Sequence, residues 1–530
     1  MNLINSPWIP VRRRNSRETE YICPWQLTEG HDDNPVVAVD FPRPDLSSGI
    51  VTFLIGLFQL AMTPGTNRAW HRKYETPPTA DELKKTLEPH IDFFQADGDG
   101  ARCFQDLNLP PEAKVYPISS LLIDDPRRGP ELNTDLFIKR GQFPQLGLSA
   151  TVAALINFQI STPGFGSGFR SAIRSAGRIT TVLVPDPRND NLAPSLWRTV
   201  WLNILSQPEV ESLSGNIKLP EPKYKLPWLS PTRTSEPKGG DDTFPDHAHP
   251  LQMYFTMPSR IRLDLDGLSA GHCPLTSREE DLVSTYRTKN LGVNYKGPWQ
   301  HPLSPHTFGK DGRPIPLKLE PGGIGYRHWL HLTLGSPKGA RNTIQAAAVV
   351  RAAQNLRKDQ RKTLVWSFGF DAKKAKILGW YESTMPVLQL DEERNEKLRA
   401  RADALIEAAL HFRDSLRKAL RKAWFRKDAK VKFESLNFIA ESFWQRTEVA
   451  FFEHLHREHE TLKQSSEEPD RRHWLNQLRS ESLQIFDQFV ASGNIAYENP
   501  KRIALARRDL VDAIYTKSIR ETLRIGNGTK

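Results

Sequence analysis

Eight apolar residues, Leu398, Ala402, Leu405, Ala409, Phe412, Leu416, Ala419 and Ala423, recur at spacings of four and three without a break. That repeat lays all eight on one stripe of an α-helix, and such a stripe is stable only when other helices cover it. The following residues provide them. Leu436, Ala440, Phe443, Thr447 and Ala450 line a second helix over 434–462, and Leu475, Leu478, Ile485 and Phe489 a third over 470–491. A fourth starts at Pro500 and carries Ile503, Leu510, Ile514 and Leu523. Four long helices with short links predict an antiparallel bundle.

The first of these helices is also unusually basic. Residues 399–432 hold eleven Lys or Arg against four Asp or Glu, a local charge of +7 in a chain whose net charge is +11. A solvated helix face normally mixes signs, so Arg417, Lys418, Arg421 and Lys422 are read as a surface facing a polyanion.

Upstream of about 388 the texture changes. Forty prolines, most of them early in the chain, predict long irregular connections, while 13 Trp and 25 Phe are enough to build large cores. The chain of 530 residues is too long for a single core. The expectation is an α+β protein: a large irregular mixed domain over 1–388, then the four-helix bundle over 389–530. Within the first part, strands are expected at 2–11, 180–184 and 253–265, and helices at 79–94, 151–160, 195–206 and 341–354. Residues 135–143 read as a strand with a basic tip, and 207–250 as a long exposed insertion. The most apolar run, 49–62, is shorter than the roughly 20 residues a membrane span needs and contains Gln59, so it reads as a buried helix. The N-terminal residues carry no apolar secretory core, and three scattered cysteines (Cys23, Cys103, Cys273) form no disulfide framework. Both point to the cytoplasm and to no membrane partner.

Two stretches carry chemistry. In PGFGSGFRSAIRSAG (163–177), Gly164, Gly166 and Gly168 alternate with Phe165, Ser167 and Phe169, and Arg170 and Arg174 follow. A backbone free of side chains, followed by arginines, suits close approach to phosphates or to a narrow groove. It is not a dinucleotide fingerprint, since the strand-to-helix order and the acidic partner are missing. In LVWSFGFDAKKAKILGWYE (364–382), Lys373, Lys374 and Lys376 cluster between two apolar strands. Three lysines at such a tip make a projection that can face nucleic acid. Metal chemistry is the competing reading: His272, His301 and His306 invite a metal-dependent nuclease acting on DNA or RNA. One Cys and three dispersed His lack zinc-ligand spacing, so no metal and no cofactor is expected.

Four stretches in this order resemble one family, the large subunit (CasA) of the type I-E CRISPR surveillance complex, Cascade. They are NLINSPWIPV (2–11), PGFGSGFRS (163–171), WQHPLSP (299–305), and FGFDAKKAK (368–376) followed by WYE (380–382). The terminal bundle agrees with it. The resemblance implies a non-catalytic DNA reader that recognises a short protospacer-adjacent motif in duplex DNA, largely through the minor groove. It further implies a wedge that starts unwinding and a recruited helicase–nuclease that receives the displaced strand. On this resemblance the glycine-loop role falls on Gly164, Phe165, Gly166, Ser167, Gly168 and Arg170. The wedge falls on Lys373, Lys374 and Ala375, and a minor-groove lysine aligns near Lys289 and Asn290. Phe137, with Lys139 and Arg140, matches the segment docking near the guide RNA's 5′ end, among the other Cascade subunits. Two departures stand out. Some relatives hold zinc with two cysteine pairs, whereas the matching positions here are Gly147, Ala150, Cys273 and Thr276. Lys374 stands where the family's wedge can carry glutamine, which bears on the motif sequences accepted.

Overall fold

Helix Pro44–Met62 sits at the centre of the first half of the chain because it is apolar on every side. It is also the one helix among the described residues long and apolar enough to cross a membrane, and 78% of its most apolar window is buried inside the fold. The helix thus begins at Pro44, ahead of the apolar run at 49–62. Pro44 occupies the first turn, where its missing N–H costs nothing, and Arg43 precedes it as the N-cap. Buried Asp45 is held by the Arg43 guanidinium at 3.1 Å and by Asn157 Nδ2 at 3.1 Å, which ties this helix to Leu148–Ser161.

The computed structural model describes all residues except 126–140, 165, 167, 175–176, 189–193, 214–218, 320–321, 338, 341, 357–362, 374–375, 389, 427–428, 431–435, 468, 493–498 and 526–530. The chain divides into two compact units. One comprises Met1–Leu319 with Ala347–Pro386, the other Glu320–Ala346 with Val387–Lys530.

In the first unit, an aromatic core of Trp8, Phe53, Phe94, Phe104, Trp228 and Phe255 is knit by edge-on and tilted ring contacts of 4.8–6.3 Å. Trp228 lies inside the stretch expected to be an exposed insertion, yet it is fully buried and its Nε1 donates to Phe93 O at 2.7 Å. Around this core lie small antiparallel sheets rather than one large one. Ile9–Arg13 pairs with Thr19–Ile22 and Val36–Val39. Thr285–Lys289 lies between Lys114–Pro117 and Arg260–Leu263. Thr363–Lys373 lies between Thr180–Pro185 and Lys376–Pro386. The expected strand at 253–265 is shorter, because Pro250–Phe255 winds into a 3-10 helix before Arg260–Leu263. The helix expected over 79–94 is likewise split. Thr79 and Glu82 form a capping box for Ala80–Leu87, and the chain then tightens into a 3-10 helix, Glu88–Phe94, at Pro89.

In the second unit all eight seam residues of helix Glu392–Trp424 are at most 4% exposed. This helix packs on each of the other three, Asn437–Gln464, Arg472–Ala491 and Pro500–Ile514. Side-chain pairs set the directions. Arg401 meets Glu458 while Arg417 meets Asn437, so the first two helices are antiparallel. Arg502 donates to Ala423 O at 2.8 Å, so the fourth also runs against the first. The fourth helix breaks after Ile514 and resumes as Lys517–Thr522. The unit also takes in 320–346, which the sequence assigned to the mixed domain. Tyr326 stacks on Phe451 at 4.3 Å and its hydroxyl meets Thr447 Oγ1 at 2.9 Å.

Candidate nucleic-acid interface

The glycine-rich stretch leaves helix Leu148–Ser161 as a closed loop, with Ala172 N–H donating to Thr162 O at 3.1 Å. Its three glycines all adopt positive φ, at +74°, +130° and +82° for Gly164, Gly166 and Gly168. Two of these positions matter most. At Gly166, which is exposed, an added Cβ would meet no atom within 4 Å, so the backbone there is open to an approaching partner. At Gly168 the opposite holds: a Cβ would come within 3.1 Å of Asn290 Nδ2. The backbone of the loop is therefore pressed against Asn290, the position near which the resemblance places a minor-groove lysine. Leu291 N–H donates to Gly168 O at 2.7 Å and fixes the contact. Phe165 and Ser167 lie outside the described residues.

Arg170 is half-buried and tied back to the protein. Its Nε donates to Ser235 Oγ at 2.7 Å, and Ser235 Oγ in turn donates to Gly292 O at 2.8 Å. Loop, strand exit and the 207–250 segment thus form one hydrogen-bonded unit. Sequence reasoning missed Ser235 because it is 65 residues from Arg170 and lies in a segment read as exposed. A buried ion pair beneath this unit, Arg260 Nε to Asp106 Oδ2 at 2.6 Å, anchors strand Arg260–Leu263 at the point where Arg260 faces Lys289. Lys289 is partly exposed, with Nζ 3.4 Å from Glu112 Oε1.

At its far end the same stretch meets the hairpin. A Cβ on Gly177 would lie 3.4 Å from Ala372 Cβ, one residue before Lys373. The hairpin strands pair from Leu364 with Pro386 out to Lys373 with Lys376, with a register shift between Asp371 and Ala372. Trp380 stiffens them from one face, stacked on Phe368 at 5.7 Å and edge-on to Phe370 at 4.9 Å. Lys374 and Ala375, at the tip, lie outside the described residues, as do Phe137, Lys139 and Arg140.

The basic helix is less free than its charge count implies. Arg417 donates to Asn437 Oδ1 at 3.3 Å, Arg421 to Ala429 O at 3.3 Å, and Lys422 pairs with Asp509, while Lys418 is exposed. Replacing all four with Gln is expected to flatten the dependence of log affinity for DNA on log salt by about 0.7–0.9 per phosphate contact removed. Motif preference should stay intact. An unchanged slope across a salt titration would mean that these cations serve the bundle alone.

The histidines do not assemble. His272 is exposed, whereas His301 and His306 are buried, and desolvation drives His301 well below the usual imidazole range and His306 down to about 4. His301 Nδ1 accepts Leu303 N–H at 3.1 Å, a turn-forming role. Among the described residues no group of three or more His, Cys, Asp or Glu converges as a metal site.

The residues at 2–485 match the family of CRISPR-associated protein Cse1. The chain belongs to that family. Its fold is similar to Thermus thermophilus CasA (TM-score 0.66, 17% identity, 97% of this chain and 99% of that one). It is likewise similar to Thermobifida fusca Cse1 (TM-score 0.66, 14% identity, 99% of each). A chain of a CRISPR RNA-guided surveillance complex matches at TM-score 0.64 and 14% identity, over 97% of this chain and 99% of that one. Within this Cse1 fold the positions aligned with a zinc site do not fit a metal. Only Cys273 offers a thiol, and a Cβ on Gly147 would lie 2.1 Å from Glu280 Oε1, so a carboxylate fills that space. Arg278 stacks on Tyr21 at 3.9 Å and donates to Ser149 Oγ at 3.0 Å, joining the same segments without a metal.

Proposed function

We propose that this chain is the DNA-recognition subunit of a CRISPR RNA-guided surveillance complex, a binding protein without catalysis of its own. It reads the protospacer-adjacent motif in duplex DNA, starts strand separation and passes the displaced strand to a helicase–nuclease. Family membership supports the subunit role. One observation carries the DNA-reading part: a single stretch, 163–177, packs on Asn290 through Gly168 and on Ala372 through Gly177. Three regions far apart in sequence, each suited to nucleic acid, are thereby joined by one short piece of backbone. The glycine loop with Lys289 and Asn290 forms the reading surface, and Lys373 and Lys374 the wedge. Phe137, Lys139 and Arg140 belong to the segment that docks on the guide RNA and the neighbouring subunits.

The wedge assignment has a direct test. Opening a step of duplex costs a few kcal/mol of stacking and pairing, part of which a rigid cationic tip offsets by holding the separated phosphates. Lys373→Ala combined with Lys374→Ala is expected to slow guide–target hybrid formation on fully paired DNA. The defect should shrink on DNA already melted beside the motif, at the same salt. Equal defects on both substrates would reduce these lysines to ordinary phosphate contacts.

A further inference from the structure

A small, partly open cavity of about 20 Å³ lies under the hairpin, between helices Pro44–Met62 and Leu148–Ser161 and the paired strands. Its volume suits one water-sized occupant. Two arginines line it, Arg174 and Arg178, together with the hydroxyl-bearing Thr52, Ser161 and Thr180, and none of the described lining residues is acidic. Arg174 is 5% exposed, and its guanidinium donates to Thr180 Oγ1 at 3.1 Å and, at the limit of hydrogen bonding, to Thr52 Oγ1 at 3.5 Å. Both acceptors are neutral. Asp45, the buried carboxylate of the Pro44–Met62 helix, is engaged by Arg43 instead. Trp380 also lines the cavity, and its indole Nε1–H is buried with no hydrogen-bond partner.

Buried arginine is ordinarily matched by a carboxylate, because an uncompensated charge in a protein interior is expensive. Here a buried arginine, hydroxyl-bearing residues and a tryptophan whose indole donor is unsatisfied line a space the size of one small ion. From this convergence we infer that the cavity is a binding site for a water-sized monovalent anion of the halide class, chloride in the cell, held by Arg174 with Trp380 Nε1–H as a further donor. Burial pulls the Arg174 guanidinium down to about 10, a value at which it still carries its charge at neutral pH. The anion would neutralise that charge between the core helices and the base of the hairpin.

Bromide tests this on the full chain, since it scatters anomalously and has the same charge as chloride. Crystals grown in bromide should show an anomalous peak within hydrogen-bonding distance of the Arg174 guanidinium. In solution, exchanging chloride for gluconate at equal ionic strength should lower the melting midpoint by about 2 °C, because a ligand that binds only the folded state stabilises it. Trp380→Phe keeps the ring contacts and removes only the N–H, so it should weaken the halide dependence. Arg174→Met should abolish both the dependence and the peak. A cavity without bromide density in the unaltered chain overturns the assignment whatever the melting data show. So does a bromide peak that persists in Arg174→Met, or a melting midpoint identical in the two salts.

Discussion

Gly166→Asp is expected to cost the assembled complex about 100-fold in affinity for motif-bearing duplex while leaving the chain folded. Two effects of similar size combine. At φ +130° the Gly166 backbone occupies a region that side chains rarely adopt. Forcing a residue with a Cβ to hold it costs about 1–3 kcal/mol, or else the loop changes shape. The carboxylate then adds repulsion from the phosphates that this open backbone is proposed to meet, on the order of 1 kcal/mol at an exposed site. About 2.8 kcal/mol in total corresponds to a hundredfold loss. Folding should survive because nothing lies within 4 Å of the new Cβ, so no core contact is displaced. Gly166→Ala separates the two effects: it keeps the strain, drops the charge and should lose about tenfold. The measurement is equilibrium binding of the guide-loaded complex to duplexes with and without the motif. Unaltered discrimination by Gly166→Asp would remove the loop from the reading surface.

What could be read in the sequence follows how local each signal was. The bundle seam was legible because a sustained four–three repeat has one structural solution, and each of its eight residues is buried. The hairpin was legible because two apolar strands flank a lysine-rich tip, but the register shift between Asp371 and Ala372 was not. Glycine chemistry marked 163–177 as special, but nothing in that stretch says that Gly168 lies against Asn290 or Gly177 against Ala372. Those contacts come from tertiary packing over more than a hundred residues. The segment 207–250 misled because it is rich in proline and polar residues, whereas a few scattered side chains, Val210, Leu226, Trp228 and Ala248, are buried. The bundle's charge count likewise leaves out where each cation is held. Counting residues cannot show that Lys422 pairs with Asp509 or that Arg399 meets Glu392 and Glu396. Short pieces with no periodicity, such as Tyr326–His328, carry no signal that they join the bundle, although Tyr326 is buried against Phe451.

One carboxylate in the bundle should prove indispensable: Glu458→Ala is expected to destabilise the second unit by about 3–5 kcal/mol. Glu458 is 1% exposed. Its Oε1 accepts Arg471 Nε at 2.5 Å and its Oε2 accepts Arg401 Nη1 at 3.0 Å. Arg401 lies on the first bundle helix, Glu458 on the second, and Arg471 at the N-cap of the third. Arg471 also donates from Nη1 to Leu523 O at 3.2 Å, just beyond the last helix, so all four parts of the bundle meet around a single charge. Removing that charge leaves two guanidinium groups in a poorly solvated interior, and this cost, rather than the lost attraction, dominates the effect. The excess charge can be relieved, which makes the cause testable. Arg401→Met in the Glu458→Ala background removes one of the two cations that shared the carboxylate and should recover part of the loss, whereas independent sites would simply add. Hydrogen exchange of helix Asn437–Gln464 in the full chain reports on this unit without requiring the whole protein to melt in one step. A loss below about 1 kcal/mol for Glu458→Ala would place the triad in the range of solvated surface pairs. A double variant worse than the sum of the two single ones would show that Arg401 contributes packing and other contacts that outweigh its charge beside Arg471.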